Sequence, residues 1–312
     1  MYLAAQLIKA GHDAAVYGLY QKDCDKFVEV SGHDCPVILF QRDGSNAPAH
    51  GSMSDLLLER LLADDPDIVL IKGVDYALAK QIAKSALAQK VGFIIGGRSE
   101  HALLNDCRII FFETEQQLSN YAGSALACVL PKFIPWQFVK KRDFADIRFD
   151  IVNVGNFNEA RKAQELLFPL SLSHKVLLIG GGAREAPYKE LAKGYPNISF
   201  AGFVDRSALF SLLAQCRLMV HCSLWDGYPR AVAEALAAGV PVVGLKGVLS
   251  GMAEADIVRC VPIHELYPQV EALLSDEDAL NKLGVRAQTY MMHEARHERV
   301  LEIFVDALSK VK

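Results

Sequence analysis

The stretch LWDGYPRAVAEALAAGVPVVGL, residues 224 to 245, constrains the fold of this chain more than any other. An apolar strand ends near Leu224, a Gly-Tyr-Pro turn follows, and a helix is expected to begin at Pro229, because proline's missing N–H is an orphan at the first helical position in any case. Gly239 stops that helix, and Pro241 to Leu245 reads as a buried parallel strand. The turn carries Asp226, and the helix carries Glu234 eight positions later. Helix N-terminal amides and the helix dipole favour diphosphate, and carboxylates accept hydrogen bonds from hydroxyls, so the passage suits an anionic sugar nucleotide.

The same alternation of short apolar runs and helical patterns continues almost throughout, which is the pattern of βαβ units and parallel sheets. In the first half the expected strands are Ala14 to Leu19, Pro36 to Phe40, Asp67 to Ile71, Val91 to Ile95, Ile109 to Glu113 and Ala127 to Leu130, with helices over Ser54 to Leu62 and Ala77 to Ala88. In the second half they are Ile151 to Val154, Val176 to Ile179, Ile198 to Ala201, Leu218 to His221, Pro241 to Leu245 and Ile257 to Val261. Leu209, Leu212, Leu213 and Cys216 form the stripe of a half-buried helix.

With 312 residues and 51% hydrophobic content, two domains of about 150 residues each are expected. Pro135 to Arg148 is charged, aromatic and fits neither period, so the expected division is 1–137, 138–292 and a terminal amphipathic helix within 293–312. That helix would bury Leu301, Phe304, Val305 and Leu308, packing on its own domain or crossing to the first. The chain opens with a helix, a turn at Gly11 and then a strand, whereas a βαβ fold places a central strand before its first helix. The expectation is that this strand and the loop after it are missing from the chain.

Several function classes are disfavoured. A formal net charge of −4 counts against a phosphate-tracking nucleic-acid binder. No apolar run reaches the length of about 20 residues that a spanning helix needs, and no secretory signal is visible. The seven cysteines, Cys24, Cys35, Cys107, Cys128, Cys216, Cys222 and Cys260, are scattered without zinc-ligand spacing, as expected of reduced thiols in a cytoplasmic protein.

The residues of the second half resemble a known family. Asp226, Gly227, Tyr228, Pro229, Glu234, Gly239, Pro241, Val242 and Val243 match the acid-Gly-aromatic-Pro, Glu and G-x-P-V-V pattern of retaining GT-B glycosyltransferases of the family 4 (group 1) type. LLIGGG (177 to 182) and ISFAGFV (198 to 204) look like that family's preceding strand ends, and VGNFNEARKAQELL (154 to 167) falls where it carries an Arg and a Lys six residues apart. The resemblance implies two Rossmann-like α/β domains with parallel sheets flanked by helices.

It also implies roles. Asp226 would hold sugar hydroxyls and Glu234 the ribose diol, although taken alone either acid reads as a solvated helix-face residue. The first acid of the family is usually Glu, and Asp226 is one methylene shorter. Lys162 would stabilise the leaving diphosphate, whose charge grows in the transition state, so neither a metal nor a cofactor is implied. Asn156 stands where the family has its Arg; Arg161, Arg184 and Arg230 are candidates to compensate and equally read as surface charges. Gly181 and Gly182 permit close approach of a nucleotide or make an ordinary tight turn. Phe203 and Val204 lie at the base-binding edge or in the core, and Gly227, Tyr228, Pro229 and Arg230 line the donor side. In the first domain the family's His is replaced by Gly96, Gly97 and Arg98, with His101 displaced.

The expected function is transfer of a sugar from a nucleoside diphosphate sugar to a glycan or lipid-linked acceptor, without metal and with retention. A catalytically weak or inactive nucleotide-sugar-binding protein of a polysaccharide assembly is the alternative, and a nucleotide-sugar epimerase a third. KFIPWQFVKK (132 to 141) reads as an interdomain linker or as a peripheral contact with the inner face of a membrane.

Overall fold

The computed structural model describes residues 1–20, 27–30, 34–43, 49–96, 101–142, 144–249, 252–253 and 255–311. Two units divide the chain: Met1–Phe133 with His297–Lys312, and Ile134–Arg296.

In the first unit the helices are α1 (Tyr2–Lys9), α2 (Asp55–Asp64), α3 (Ala77–Ala83) and α4 (Glu115–Ser119). Its strands β1 (Val16–Leu19), β2 (Phe27–Glu29) and β3 (Val37–Phe40) form one sheet in the order β1-β3-β2. A second sheet, β4-β5-β6-β7, consists of β4 (Val69–Lys72), β5 (Val91–Ile95), β6 (Ile109–Phe112) and β7 (Leu126–Val129), all parallel. Every residue of β6 is buried, as a strand covered on both faces must be. On one face Ile110 and Phe112 join Phe40, Leu57 and Phe93. On the other, Ile109 and Phe111 meet Val300, Phe304 and Ala307 of the last helix (His297–Ser309), with the Phe111 and Phe304 rings stacked at 4.9 Å.

Several details differ from expectation. The last helix buries Val300, Phe304 and Ala307, while Val305 is 37% exposed, because Phe304 stacking on Phe111 fixes the helix's rotation. Residues 293 and 294 finish the preceding helix instead. Helix α3 stops at Ala83: the Ser85 hydroxyl donates to the Ile82 carbonyl and accepts from the Leu87 N–H, a local alternative to another helical turn. Strand β2 is an exposed antiparallel edge of three residues, too short to show a period.

The second unit is one parallel sheet of β8 (Phe149–Val154), β9 (Val176–Ile179), β10 (Ile198–Gly202), β11 (Cys216–His221), β12 (Val242–Leu245) and β13 (Arg259–Val261). The order is β10-β9-β8-β11-β12-β13. The chain winds outward from β8 in one direction and then resumes at β11 on the other side, so the switch point of this doubly wound sheet lies between β8 and β11. Helices α5 (Glu185–Ala192), α6 (Arg206–Leu213), α7 (Arg230–Ala237), α8 (Leu266–Ser275) and α9 (Glu277–Glu294) accompany it. Helix α6 ends at Leu213, and Cys216 opens β11 instead of closing the helical stripe; its thiol donates to the Leu212 carbonyl at 3.1 Å.

Helix α7 starts one residue later than expected. Pro229 is its N-cap, extended at ψ 119, while its carbonyl already accepts from Val232 and Ala233. The stop falls where glycine predicts it: Gly239 has φ +72, its N–H reaches the Leu236 carbonyl, and that of Val240 reaches Ala235. This pair of bonds satisfies the last carbonyls of the helix. A Cβ on Gly284 would lie 2.5 Å from the Gly239 carbonyl, so α9 crosses this end of α7 in direct backbone contact.

Residues 134–142 are fastened to the second unit. Ile134 is fully buried, the Trp136 indole N–H donates to the Ala295 carbonyl at 3.0 Å, and Arg142 donates to the Gly239 and Cys216 carbonyls at 2.7 Å each. Among the described residues no helix is long and apolar enough to cross a membrane.

Candidate functional site

The carboxyl ends of β8 and β11 bring the chemistry together, where ligands of open α/β sheets bind. After β8 the chain is strapped down: the Phe157 N–H donates to the Gly181 carbonyl, and the Phe157 carbonyl accepts from Arg184. The glycine run after β9 makes this packing possible. A Cβ on Gly180, at φ +135, would fall 1.8 Å from the Gly155 carbonyl oxygen; on Gly182, at φ +146, one would fall 2.3 Å from Asn158 Oδ1. Gly181 lies against the Phe203 ring and the Glu185 carboxylate.

Lys162 ends a short 3-10 turn, Ala160–Lys162, and Ala163 after it is held in the left-handed region at φ 46. For a residue with a Cβ that conformation costs on the order of 1 kcal/mol, so the surrounding contacts determine it. The Arg161 carbonyl accepts from the Leu224 N–H, tying this turn to the one after β11.

The result is a carboxylate ringed by nitrogen. Lys162 Nζ lies 2.6 Å from Asp226 Oδ2, and both side chains are 14% exposed. Arg161 Nη1 lies 3.4 Å from Asp226 Oδ1, while the same guanidinium bonds Glu159 and the Trp225 carbonyl and sits 5.1 Å from the centre of the Trp225 ring. His221 Nε2 is 3.2 Å from Asp226 Oδ2 but off the hydrogen-bonding axis. Burial alone would raise the Asp226 pKa; the adjacent His221 imidazole and the bonded Lys162 ammonium outweigh it and hold the carboxyl well below the usual carboxylate range.

Glu234 is not a solvated helix-face residue. Only 2% exposed, on the buried face of α7, it forms an ion pair with Arg206, the first residue of α6. Asp205 caps that helix by accepting from the Ala208 N–H at 2.8 Å.

The remaining candidates divide. Phe203 is 76% exposed and stands free of the core, whereas Val204 packs against it. Tyr228 also packs against the core, its hydroxyl 4.0 Å from Met291 Sδ; Pro229 is buried, and Gly227 and Arg230 are half-buried. The Asn156 side chain closes a local turn by accepting from the Asn158 N–H, and its carbonyl accepts from Gln164. Of the three arginines weighed as its substitute, Arg161 joins the cluster, while Arg184 lies over the Tyr188 ring, 3.9 Å from Glu165. In the first unit, Gly96 follows β5 and lies against the Glu113 carboxylate, His101 Nδ1 caps a turn by accepting from Leu103, and Gly97 and Arg98 lie outside the described residues.

Sequence reasoning passed over His221, Trp225 and Arg206. A signal existed for the first, since a histidine closing the apolar run Leu218 to Val220 of a central strand is placed where ligands bind. None existed for Arg206, whose partner lies 28 residues away.

Residues 148–276 match the model of the family described as Glycosyl transferases group 1. The N-acetyl-alpha-D-glucosaminyl L-malate synthase of Bacillus anthracis is 23% identical over 202 residues, covering 56% of this chain and 52% of that protein, so the chain spans about half the length of this curated relative. Among solved structures, sucrose-phosphate synthase from Thermosynechococcus elongatus superposes with a TM-score of 0.81 at 14% identity, over 99% of this chain and 91% of the other. An E. coli structure, described as trehalose-6-phosphate bound with UDP-2-fluoro glucose, gives 0.70 at 14% identity, over 100% and 95%. At these identities the likeness establishes the fold. The chain has the GT-B fold of two α/β units, and its residues 148–276 are similar to the group 1 glycosyl transferases.

Proposed function

We infer that this protein is a retaining, metal-independent glycosyltransferase that uses a nucleoside diphosphate sugar. The observation that carries this reading is the Lys162–Asp226 contact at the switch point of the second unit: it sets a cation and a hydroxyl acceptor side by side, 2.6 Å apart. Lys162 stabilises the charge that grows on the diphosphate as the glycosyl–phosphate bond breaks. Asp226 accepts from sugar hydroxyls, Glu234 orients the ribose diol, and the exposed Phe203 ring offers a stacking face to the base. Arg161 supplies the second cation that Asn156 lacks. The departing phosphate oxygen takes the proton of the acceptor hydroxyl as the new bond forms on the same face, so no second carboxylate opposite is required, unlike the paired acids of glycosidases. The acceptor is a glycan or a lipid-linked acceptor.

A second reading is favoured by one feature: Asp226 is already surrounded by Lys162, Arg161 and His221. A chain whose donor groups are so paired would bind nucleotide sugars weakly and turn them over slowly. Calorimetry with UDP and GDP sugars followed by an assay of sugar release separates the two. Binding with turnover abolished by Lys162→Ala supports the transferase, binding without turnover supports the second reading, and absence of binding removes both.

A further inference from the structure

We propose that His221 is a positioning residue that takes over the Asp226 carboxylate when Lys162 turns to the diphosphate of a bound donor. The inference rests on the donor-site reading above and assigns the event that frees Lys162. Both side chains address the same oxygen, Asp226 Oδ2, Lys162 Nζ from 2.6 Å and His221 Nε2 from 3.2 Å. Lys162 is bonded there; His221 Nε2 is buried and among the described residues has no hydrogen-bond partner, although Oδ2 lies within bonding distance of it. A buried polar nitrogen in that state is disfavoured, so the arrangement is poised for the second contact to form.

The need for such a residue follows from burial. Asp226 is only 14% exposed, so water replaces little of what Lys162 supplies when it leaves. A buried carboxylate that loses its cation resists the change, and the resistance would be paid out of donor affinity. Arg161 does not meet this need: it faces the other oxygen, Oδ1, at 3.4 Å and is shared with Glu159 and the Trp225 carbonyl. His221 is 4% exposed at the end of β11, held by the strand itself, and an Nε2–H could donate to Oδ2 from either the Nε2-protonated neutral tautomer or the imidazolium.

Among the described residues, the charged groups facing His221 are few. Asp226 reaches it from the turn after β11, and Lys162, with Arg161 behind it, from the turn after β8. The adjoining strands bring Asn153, which donates to the Val220 carbonyl, and Gly244, neither of which carries charge. Cys222 beside it is kept as a neutral thiol by burial. Removing Lys162 from Oδ2 therefore leaves His221 as the nearest proton donor to an anion, which favours its protonated form.

The test uses protein labelled with 15N-histidine, the His221 signals assigned by their loss in His221→Gln. Calorimetry first selects the tightest-binding nucleoside diphosphate from UDP, GDP, ADP and dTDP. The expected result is that the His221 titration midpoint rises when that diphosphate is bound and stays put with the matching nucleoside. A midpoint that is unchanged or lower in the diphosphate complex overturns the proposal, whereas failure of all four to bind overturns the donor-site reading and the proposal with it. In parallel, His221→Leu is expected to weaken diphosphate binding about tenfold with nucleoside binding unaltered, and His221→Gln, which retains a donor near the Nε2 position, to restore it to within about threefold. Equal losses for diphosphate and nucleoside, or no rescue by Gln, mark a merely structural histidine and overturn the proposal.

Discussion

Arg206 and Glu234 are an ion pair joining the first turn of α6 to the buried face of α7, although 28 residues separate them in the chain. Glu234 is 2% exposed and Arg206 38%, so the ion pair has a buried end and an end that stands partly in water. Arg206→Ala is expected to lower stability by about 1–3 kcal/mol, below the usual cost of breaking a buried pair because solvent screens the arginine end. Adding Glu234→Gln should recover part of that loss in thermal melts. Simple additivity of the two changes would show that the pair is not coupled.

Lys162→Ala is expected to reduce sugar release by about 100-fold or more, the scale of removing one preorganised electrostatic group from a transition state. Affinity for the intact donor should change far less, because the charge that Lys162 meets is greatest after the bond has begun to break. Steady-state kinetics with the donor identified by calorimetry measures both. A fall confined to KM would assign Lys162 to ground-state binding alone.

Asp226 makes stability depend on acid in a defined direction. Its carboxyl titrates near 3.8 when unexposed to these partners and lower in the folded chain, so the unfolded chain binds the proton first as pH falls. The stabilisation is complete well above pH 3.8 and is lost progressively as pH drops toward the folded value. Wild type should exceed Asp226→Asn by about 1–3 kcal/mol near neutrality, with the Tm difference narrowing below about pH 4. A difference that is constant from pH 7 to pH 3 would contradict the ion-pair geometry.

The glycines after β9 separate close packing from simple conformational freedom. Gly180→Ala puts a methyl group 1.8 Å from the Gly155 carbonyl oxygen, and a loss of about 3 kcal/mol or more is expected, with the loop after β8 displaced. Gly202→Ala, at φ +70 with nothing within 4 Å, should cost only about 1 kcal/mol. Urea denaturation of the two variants checks the ranking.

Phe203 exposes 76% of its surface, so Phe203→Ala is expected to leave stability within about 0.5 kcal/mol of wild type. If the ring stacks on a base, nucleotide affinity should fall about tenfold or more. Unchanged affinity would remove Phe203 from the donor site.

Much of this architecture was legible in the residues. Val91 to Ile95 and Val176 to Ile179 are continuous apolar runs, and each is a strand over the whole of that range, because a strand covered on both faces needs no alternation. Phe27 to Glu29 gave no warning: three exposed residues at a sheet edge carry neither a period nor a buried face. Lys162 and Asp226 could be picked out by their surroundings in sequence, yet their mutual contact depends on the register of two strands and on the left-handed Ala163. Glu234 illustrates a different limit. Its neighbours Ala231, Ala233, Ala235 and Ala237 are small enough to suit either a surface or a tightly packed helix, and only the sheet beneath α7 decides in favour of burial.

The pairing of β8 with β11 acts as a ruler for the charges above it. Phe149 lies opposite Cys216, Ile151 opposite Leu218 and Val152 opposite Met219. A strand advances about 3.3 Å per residue, so a slip of one position would displace the Lys162 turn by more than the 2.6 Å that separates its ammonium from Asp226. Oily side chains with no access to a ligand therefore set the spacing on which recognition depends. Repacking β8 or β11 is a route to altering this site without touching any residue in it.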